Sequence, residues 1–214
     1  MEVAVIARPG SATLDACLQA LRGEGIEPLV VEIGGDGAGQ ARNRALEASA
    51  GELLAFVEDD VVVEAGWRAA LDAAWRAAAE HVAVIGGPLR PRFASGRPRW
   101  LDPALDAALA LQDLGAEPVA LDPADATFHG GNVSFRTAAL RGAGGFWPAR
   151  GHPRGRDWRS DEHHAQQALG AAGWGGRYEP AARAWRLAEP RARELLLSRA
   201  RYGARMAALG GDGT

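Results

Sequence analysis

The sequence has no lysine, a single cysteine and no long apolar run. One cysteine, Cys17, cannot form a disulfide within the chain, which suits a reducing compartment. No apolar run approaches the roughly 18 residues that a membrane span needs. The first residues also lack the charged and then apolar pattern of a signal peptide. We therefore expect a cytoplasmic protein without a transmembrane segment, with peripheral membrane contact as the alternative.

The charge composition gives no indication of a nucleic-acid partner. Arginine supplies all 24 permanently positive side chains, against 27 acidic ones, and the formal net charge is −3. The hydrophobic fraction of 47% and the charged fraction of 24% are typical of a soluble globular protein. A chain of 214 residues can bury a sizeable core. We predict one domain over residues 1–214, with no nucleic acid bound.

The most informative stretch is an apolar run that ends in three acids. Residues 53–57 have the length and composition of a buried strand, and Glu58, Asp59 and Asp60 follow directly. Adjacent carboxylates repel one another unless a cation or several donors neutralise them. A divalent metal on a phosphorylated ligand would do so, since Mg²⁺ prefers carboxylates together with phosphate oxygens. A solvated acidic turn before a helix at Glu64 is the other interpretation.

The first part of the chain predicts a parallel α/β unit. Residues 3–6 and 28–33 are short apolar strands that flank an amphipathic helix, a pattern typical of a right-handed parallel crossover. Ligands of such sheets bind beyond the carboxyl ends of the strands. The glycine-rich loop of residues 34–39 matches neither a Walker nor a Rossmann spacing, so both a phosphate cradle and a plain connection stay open.

Past residue 88 the composition changes. Arginines alternate with prolines and aromatics, at Arg90, Arg92, Arg97 and Arg99. An exposed loop and a lid that binds the acceptor both fit this pattern. Glycines then lead into a strand within residues 128–136, where the backbone can approach a ligand closely. A last strand is predicted from Tyr178, or slightly earlier, to about Leu187.

Asp161 and Glu162 open a predicted helix that runs to about Gly173. Acids in a first turn complement the helix dipole, and the dipole keeps a carboxylate ionised and able to accept a proton. His163 and His164 follow, but adjacent helical residues point about 100° apart, so they are not expected to bind one ion together. A structural and a catalytic role for the two acids both remain.

Four motifs, in this order, resemble those of the family-two glycosyltransferases, which are inverting GT-A enzymes that use nucleotide sugars. They are Gly39-Gln40-Ala41-Arg42-Asn43 with Ala50-Gly51-Glu52, Glu58-Asp59-Asp60, Gly131-Asn132-Val133-Ser134-Phe135-Arg136 with Gly144-Gly145-Phe146, and Asp161-Glu162. The second resembles the family's Asp-x-Asp metal motif, with Glu in the first position. The last stands where the family usually has Glu-Asp.

The resemblance spans nearly the whole chain and implies a fold. That fold is α/β of the GT-A type, with a Rossmann-like mixed, mainly parallel central sheet flanked by helices on both faces. It implies a nucleotide-binding half at residues 1–88, an acceptor-side half at 89–188 and a C-terminal helix at 189–209. This last helix normally packs on the domain, with a dimer or membrane-surface contact as the alternatives.

The resemblance also implies a reaction and its residues. A sugar moves from a nucleoside-diphosphate sugar to an acceptor hydroxyl by direct displacement, with Glu162 or Asp161 as the base. Asp60 would hold Mn²⁺ or Mg²⁺, and Glu58 would share the metal or face the ribose. The residues implied to contact the nucleotide sugar are Glu32, Arg42, Glu58, Asp59, Asn132 and Arg186.

Two positions depart from the family pattern. Arg186 stands where many members have a histidine that can bind the metal, and a guanidinium cannot be a metal ligand. We therefore expect Arg186 to take over part of the metal's electrostatic role, so that the metal is only partly required, with an arginine that points to solvent from the last strand as the alternative. The chain between Ile33 and Gly39 is shorter than is common in the family, so no nucleobase is predicted.

Two other functions fit parts of the sequence. A catalytically inactive sugar-nucleotide-binding domain would explain the inverted Asp161-Glu162 order and the absence of the histidine. A nucleotidyltransferase would have a glycine-rich basic loop after the first strand, of which residues 7–11 are a poor version. The sugar, the acceptor and the oligomeric state are not predicted.

Overall fold

The computed structural model describes residues 1–102, 109–147 and 161–187. Its strands are β1 (Glu2–Ala7), β2 (Leu29–Glu32), β3 (Leu53–Glu58), β4 (Val61–Val63), β5 (Val82–Gly86), β6 (Leu89–Arg92), β7 (Val119–Leu121), β8 (Val133–Arg136), β9 (Gly175–Tyr178) and β10 (Ala184–Leu187). Its helices are α1 (Leu14–Gly23), α2 (Ala38–Ala48), α3 (Trp67–Ala77), α4 (Thr137–Gly142) and α5 (Asp161–Ala171).

The larger sheet is mixed and mainly parallel, as predicted. Its seven strands lie in the order β2-β1-β3-β8-β5-β9-β7. Strand β1 pairs in parallel with β2 and β3, and β5 pairs in parallel with β9. Strand β8 is antiparallel to β3 and β5, and β7 is antiparallel to β9. All strands except β7 and β8 therefore run in one direction.

Helices cover both faces of this sheet, which confirms the predicted layering. Val5 and Val57 belong to one core cluster with residues of α1 and α3. Ile6 and Phe56, their neighbours along the same strands, belong to a second cluster with residues of α2, α4 and α5. Because successive side chains of a strand point to opposite faces, strands covered on both sides must be apolar at every position. Burial on both faces therefore explains the continuous apolar runs in the sequence.

A second, three-stranded sheet has the order β4-β10-β6. The single last strand predicted from Tyr178 to Leu187 is therefore wrong, because β9 and β10 lie in different sheets. Pro180 has no N–H to donate to a ladder, and the backbone turns where Ala182 N donates to Glu179 O at 3.2 Å. The helix expected from Glu64 begins only at Trp67, because the preceding valines pair with β10 instead.

The predicted helix at residues 189–209 lies outside the described residues. The division of the chain into halves likewise stays a prediction. In the part of the chain that the structure describes, no helix has both the length and the apolar character needed to cross a bilayer. The cytoplasmic location stays a prediction as well.

Candidate functional site

Five elements bring charged side chains to one edge of the larger sheet. Strands β1 and β3 are parallel neighbours, so Arg8 after β1 and Glu58 at the end of β3 emerge together. The chain then turns through Asp59 and Asp60 into β4. Strand β10 pairs with β4, with Arg186 opposite Val61, and this register places Arg186 beside the acids. Helices α2 and α5 complete the site with Arg42 and the two acids of the α5 first turn.

Asp59 is held by Arg8. The Arg8 backbone N–H donates to Asp59 Oδ2 at 3.1 Å, and its Nη2 lies 3.0 Å from Oδ1. Asp59 is only 2% exposed, which contradicts a solvated acidic turn at this position. Arg8 itself is exposed over 57% of its side chain, and its Nη2 also lies 3.3 Å from Asp60 Oδ2. An exposed arginine therefore covers the buried middle acid of the triplet.

Arg42 is a buried cation that connects the two ends of the site. It is 2% exposed, and its Nη2 donates to Glu58 Oε1 at 2.8 Å. Its Nη1 donates to Asp161 Oδ2 at 2.7 Å and lies 3.6 Å from Glu162 Oε2. Although burial opposes the charge, the three carboxylates raise the pKa of Arg42 above its ordinary value. One guanidinium thus joins β3 to α5.

Arg186 is the second cation at Glu58. Its Nη2 donates to Glu58 Oε2 at 2.5 Å, and its Nη1 lies 3.7 Å from Asp60 Oδ2. Burial alone would raise the pKa of Glu58, but Arg186 and Arg42 together lower it below its ordinary value. For Asp60 burial dominates, and Arg186 offsets it only in part, so the pKa of Asp60 is raised. Glu58 is therefore a stable anion between two arginines.

The acid pair of α5 lies on the other side of Arg42. Burial, and the charge of neighbouring Glu162, raise the pKa of Asp161 to about 6 against the opposing effect of Arg42. Gln166, one turn later, accepts from Phe128 N at 2.7 Å and donates to Phe128 O at 2.8 Å. This reciprocal pair fixes α5 against the segment that leads to the glycines before β8. The helix that carries Asp161 and Glu162 is thus held in a fixed position.

Two glycines let the arginines reach these positions. A Cβ on Gly130 would lie 2.2 Å from Arg42 Nη2, and a Cβ on Gly131 would lie 2.9 Å from Arg186 Nη2. Such distances are below any tolerable contact, and the two guanidinium groups are held by carboxylates. The glycine-led strand predicted from the sequence therefore makes its close approach to arginine side chains.

We expect Gly130→Ala to lower the free energy of unfolding by about 1–3 kcal/mol, the usual cost of overpacking a buried site. Arg42 cannot move away, because it is held by Glu58 and Asp161. The matched control is Gly142→Ala, where an added Cβ meets nothing within 4 Å. Urea unfolding compares the two variants. Equal stability of both would contradict this packing.

The structure brings most predicted site residues together. They are Arg42, Glu58, Asp59, Asp60, Asp161, Glu162 and Arg186. Asn132 is 2% exposed and its amide is used inside the protein, donating to Pro88 O and Ala182 O and accepting from Trp67 Nε1. Glu32 ends β2, the outermost strand, and is exposed. Nucleotide contacts of Asn132 and Glu32 stay predictions.

Three site residues were missed from the sequence. Arg8 had a signal, since it directly follows the first strand at its carboxyl end. His129, whose pKa is lowered mainly by burial, is electrostatically coupled to Glu162, Glu58 and Arg186. Nothing local distinguishes His129 or Gln166 in the sequence, because their positions depend on how α5 packs against the segment before β8.

Within the described ranges, no three side chains of His, Cys, Asp or Glu are grouped to hold a metal ion. Both oxygens of Glu58, and Oδ2 of Asp60, lie beside arginine nitrogens. Their predicted role as metal ligands therefore stays a prediction. Arg90, in the segment for which an exposed loop and a lid were both considered, pairs with Asp113 at 2.8 Å.

Comparison with solved structures finds the same fold in several glycosyltransferases. GalNAc-T7 with UDP, GalNAc and Mn²⁺ has a TM-score of 0.60 and 13% identity, over 88% of this chain and 44% of that one. The mannosyltransferase PcManGT of Pyrobaculum calidifontis with GDP-Man and Mn²⁺ has a TM-score of 0.60 and 18% identity, over 100% of this chain and 65% of that one. S. aureus TarS 1-349 with UDP-GlcNAc has a TM-score of 0.56 and 15% identity, over 89% of this chain and 60% of that one.

These similarities confirm the GT-A fold predicted from the sequence. The chain spans less than two thirds of the length of each of these three proteins. No family model matches the sequence, and a search of curated proteins finds no significant match. Sequence identities this low support a shared fold but do not assign a role to any residue.

Proposed function

We propose that this chain is an inverting glycosyltransferase that moves a sugar from a nucleoside-diphosphate sugar to an acceptor hydroxyl. One observation carries the proposal. Separate elements of a glycosyltransferase fold place an acid pair and an arginine-paired acidic triplet around one buried arginine, at the carboxyl edge of the sheet. That edge is where ligands of such sheets bind.

Glu162 is the better-placed base of the pair. Asp161 is tied to Arg42 by a 2.7 Å hydrogen bond, whereas Glu162 lies 3.6 Å away, beyond hydrogen-bond distance. Glu162 takes the proton of the acceptor hydroxyl as that oxygen attacks the anomeric carbon. The bond from that carbon to the diphosphate oxygen breaks on the opposite face, and the diphosphate leaves with the electron pair. Arg8 and Arg186 stabilise the negative charge that builds there.

A divalent metal, expected from the sequence at Asp60 and Glu58, fits this site poorly. Two of the neighbouring structures contain Mn²⁺. In this chain, however, Glu58 is bonded to two arginines and Asp60 faces two. A metal would have to displace these cations from both oxygens of Glu58 and from Asp60 Oδ2, which leaves only the buried Asp60 Oδ1 without a hydrogen-bond partner. No step of the reaction above passes through a metal.

Donor turnover tests the proposal without knowledge of the acceptor, because a competent site hydrolyses its donor slowly with water as acceptor. Release of nucleoside diphosphate is measured with UDP-glucose, UDP-GlcNAc and GDP-mannose, and binding is measured in parallel. Binding with turnover supports the transferase. Binding without turnover supports the inactive sugar-nucleotide-binding domain. If the protein neither binds nor turns over any of these donors, the proposal is contradicted for these donors.

The acid pair predicts the pH dependence of turnover. Because the pKa of Asp161 is raised to about 6, Asp161 is mostly protonated below that pH and ionised above it. The ionised Asp161 holds Arg42 beside Glu162, so turnover that needs this arrangement should rise with pH up to about 6 and then level off. Initial rates between about pH 5 and about pH 8 measure this. A rate that is flat across this range would show that turnover does not depend on the charge of Asp161.

A further inference from the structure

Each acid of the triplet is already paired with an arginine of the protein. Glu58, Asp59 and Asp60 each have a guanidinium nitrogen within 3.3 Å. The arginines that do so are Arg8, Arg42 and Arg186, and Arg42 also pairs with the two acids of α5. Carboxylates that are paired with arginine attract a further cation less than unpaired carboxylates would.

Two of these arginines differ from the third in their access to a ligand. Arg42 is fully buried. Arg8 is exposed over 57% of its side chain and Arg186 over 15%, and both approach the same atom, Asp60 Oδ2, at 3.3 and 3.7 Å. Guanidinium groups are well suited to bind phosphate oxygens. Arg8 after β1 and Arg186 of β10 thus both bring such a group to Asp60 Oδ2.

The position of Arg186 is fixed by the backbone. The ladder between β10 and β4 sets its register, and Leu187 N donates to Asp60 O at 2.7 Å. Gly131 packs against its guanidinium. In the ion pair of Arg186 with Asp60, two buried atoms have no hydrogen-bond partner, namely Arg186 Nε and Asp60 Oδ1. A preorganised arginine with an unused buried donor is well suited to bind an incoming anion.

We propose that Arg8 and Arg186 bind the donor's diphosphate directly, so that nucleotide binding does not require a divalent metal. The inference rests on the proposed function, because it assumes a nucleoside-diphosphate donor. It also assigns Asp60 a different role from the one expected from the sequence. Asp60 holds the two arginines in place before the donor arrives, and its charge competes with the diphosphate for them.

Calorimetric titration tests this with UDP, GDP, ADP, CDP and dTDP, each in EDTA and in Mn²⁺. The parent protein should bind one of them in EDTA, with an affinity within about tenfold of that in Mn²⁺. Arg186→Gln and Arg8→Gln should each weaken binding in EDTA by about tenfold or more, the usual effect of losing a charge-assisted hydrogen bond. Arg183→Gln is the matched control, since Arg183 precedes β10 but pairs with Glu64.

Asp60→Asn separates the two roles of Asp60 by the sign of its effect. If the arginines bind the diphosphate, removing the competing charge leaves binding in EDTA as tight as in the parent or tighter. If a metal bridges the diphosphate, the same change weakens binding in Mn²⁺. Binding that occurs only with Mn²⁺ would overturn this inference and leave the proposed function standing. No binding of any of the five nucleotides in either condition would overturn both.

Discussion

Glu162→Gln should reduce donor turnover by about a hundredfold or more, while nucleotide binding changes little. A positioned general base typically contributes about a hundredfold to ten-thousandfold to a rate. Glutamine keeps the size of the side chain but cannot accept the proton. Because Glu162 lies 3.6 Å from Arg42, the change should not disturb the hydrogen bonds of that arginine. Turnover is measured as release of nucleoside diphosphate, and binding by calorimetry, so that a loss of kcat is distinguished from a loss of affinity.

Asp161→Asn is the matched control, since it removes the adjacent carboxylate. Asp161 bonds to Arg42, so its loss should alter the position of that arginine and cause a smaller fall in turnover. If Asp161→Asn abolishes turnover and Glu162→Gln does not, Asp161 is the base. If both variants keep the parent's rate, neither acid accepts the proton and the mechanism proposed here is wrong.

Local sequence patterns predicted the layers of the fold well. The apolar runs that form β1 and β3 are buried on both faces, and a run of this kind has few other uses in a soluble domain. Strands β9 and β10 were predicted as one, because the pattern of residues 178–187 does not show that the chain changes sheets at Pro180. Such a change is set by tertiary pairing, which periodicity does not report.

In the candidate site, too, local patterns identified the residues, whereas the contacts between them depend on the tertiary structure. The acids were found because they directly follow or precede regular elements, as Glu58 follows β3 and Asp161 opens α5. Their pairing with arginines could not be predicted in detail. The ion pair of Arg42 with Asp161 spans 119 positions of the chain, and that of Arg186 with Glu58 spans 128. Only the assembled sheets bring these groups together.

Arg42→Met should cause the largest loss of stability. Arg42 is 2% exposed and holds Glu58 and Asp161 through hydrogen bonds of 2.8 and 2.7 Å. Removing one partner of a buried charge pair typically costs about 3–5 kcal/mol, because the remaining charges stay buried and uncompensated. Methionine fills much of the volume, so most of the loss should be electrostatic. Urea unfolding followed by tryptophan fluorescence measures it.

The control for this variant is Arg44→Met on the same helix. Arg44 is exposed over 42% of its side chain and pairs with Asp36, so its loss should cost at most about 1 kcal/mol. The deficit of Arg42→Met should also shrink as the pH falls, because protonation of the unpaired acids relieves their burial. A deficit that is the same at about pH 5 and about pH 8 would indicate lost packing instead of lost charge. If Arg42→Met does not fold, Arg42→Lys tests the geometry of the guanidinium alone, and because it keeps the charge its deficit should depend less on pH.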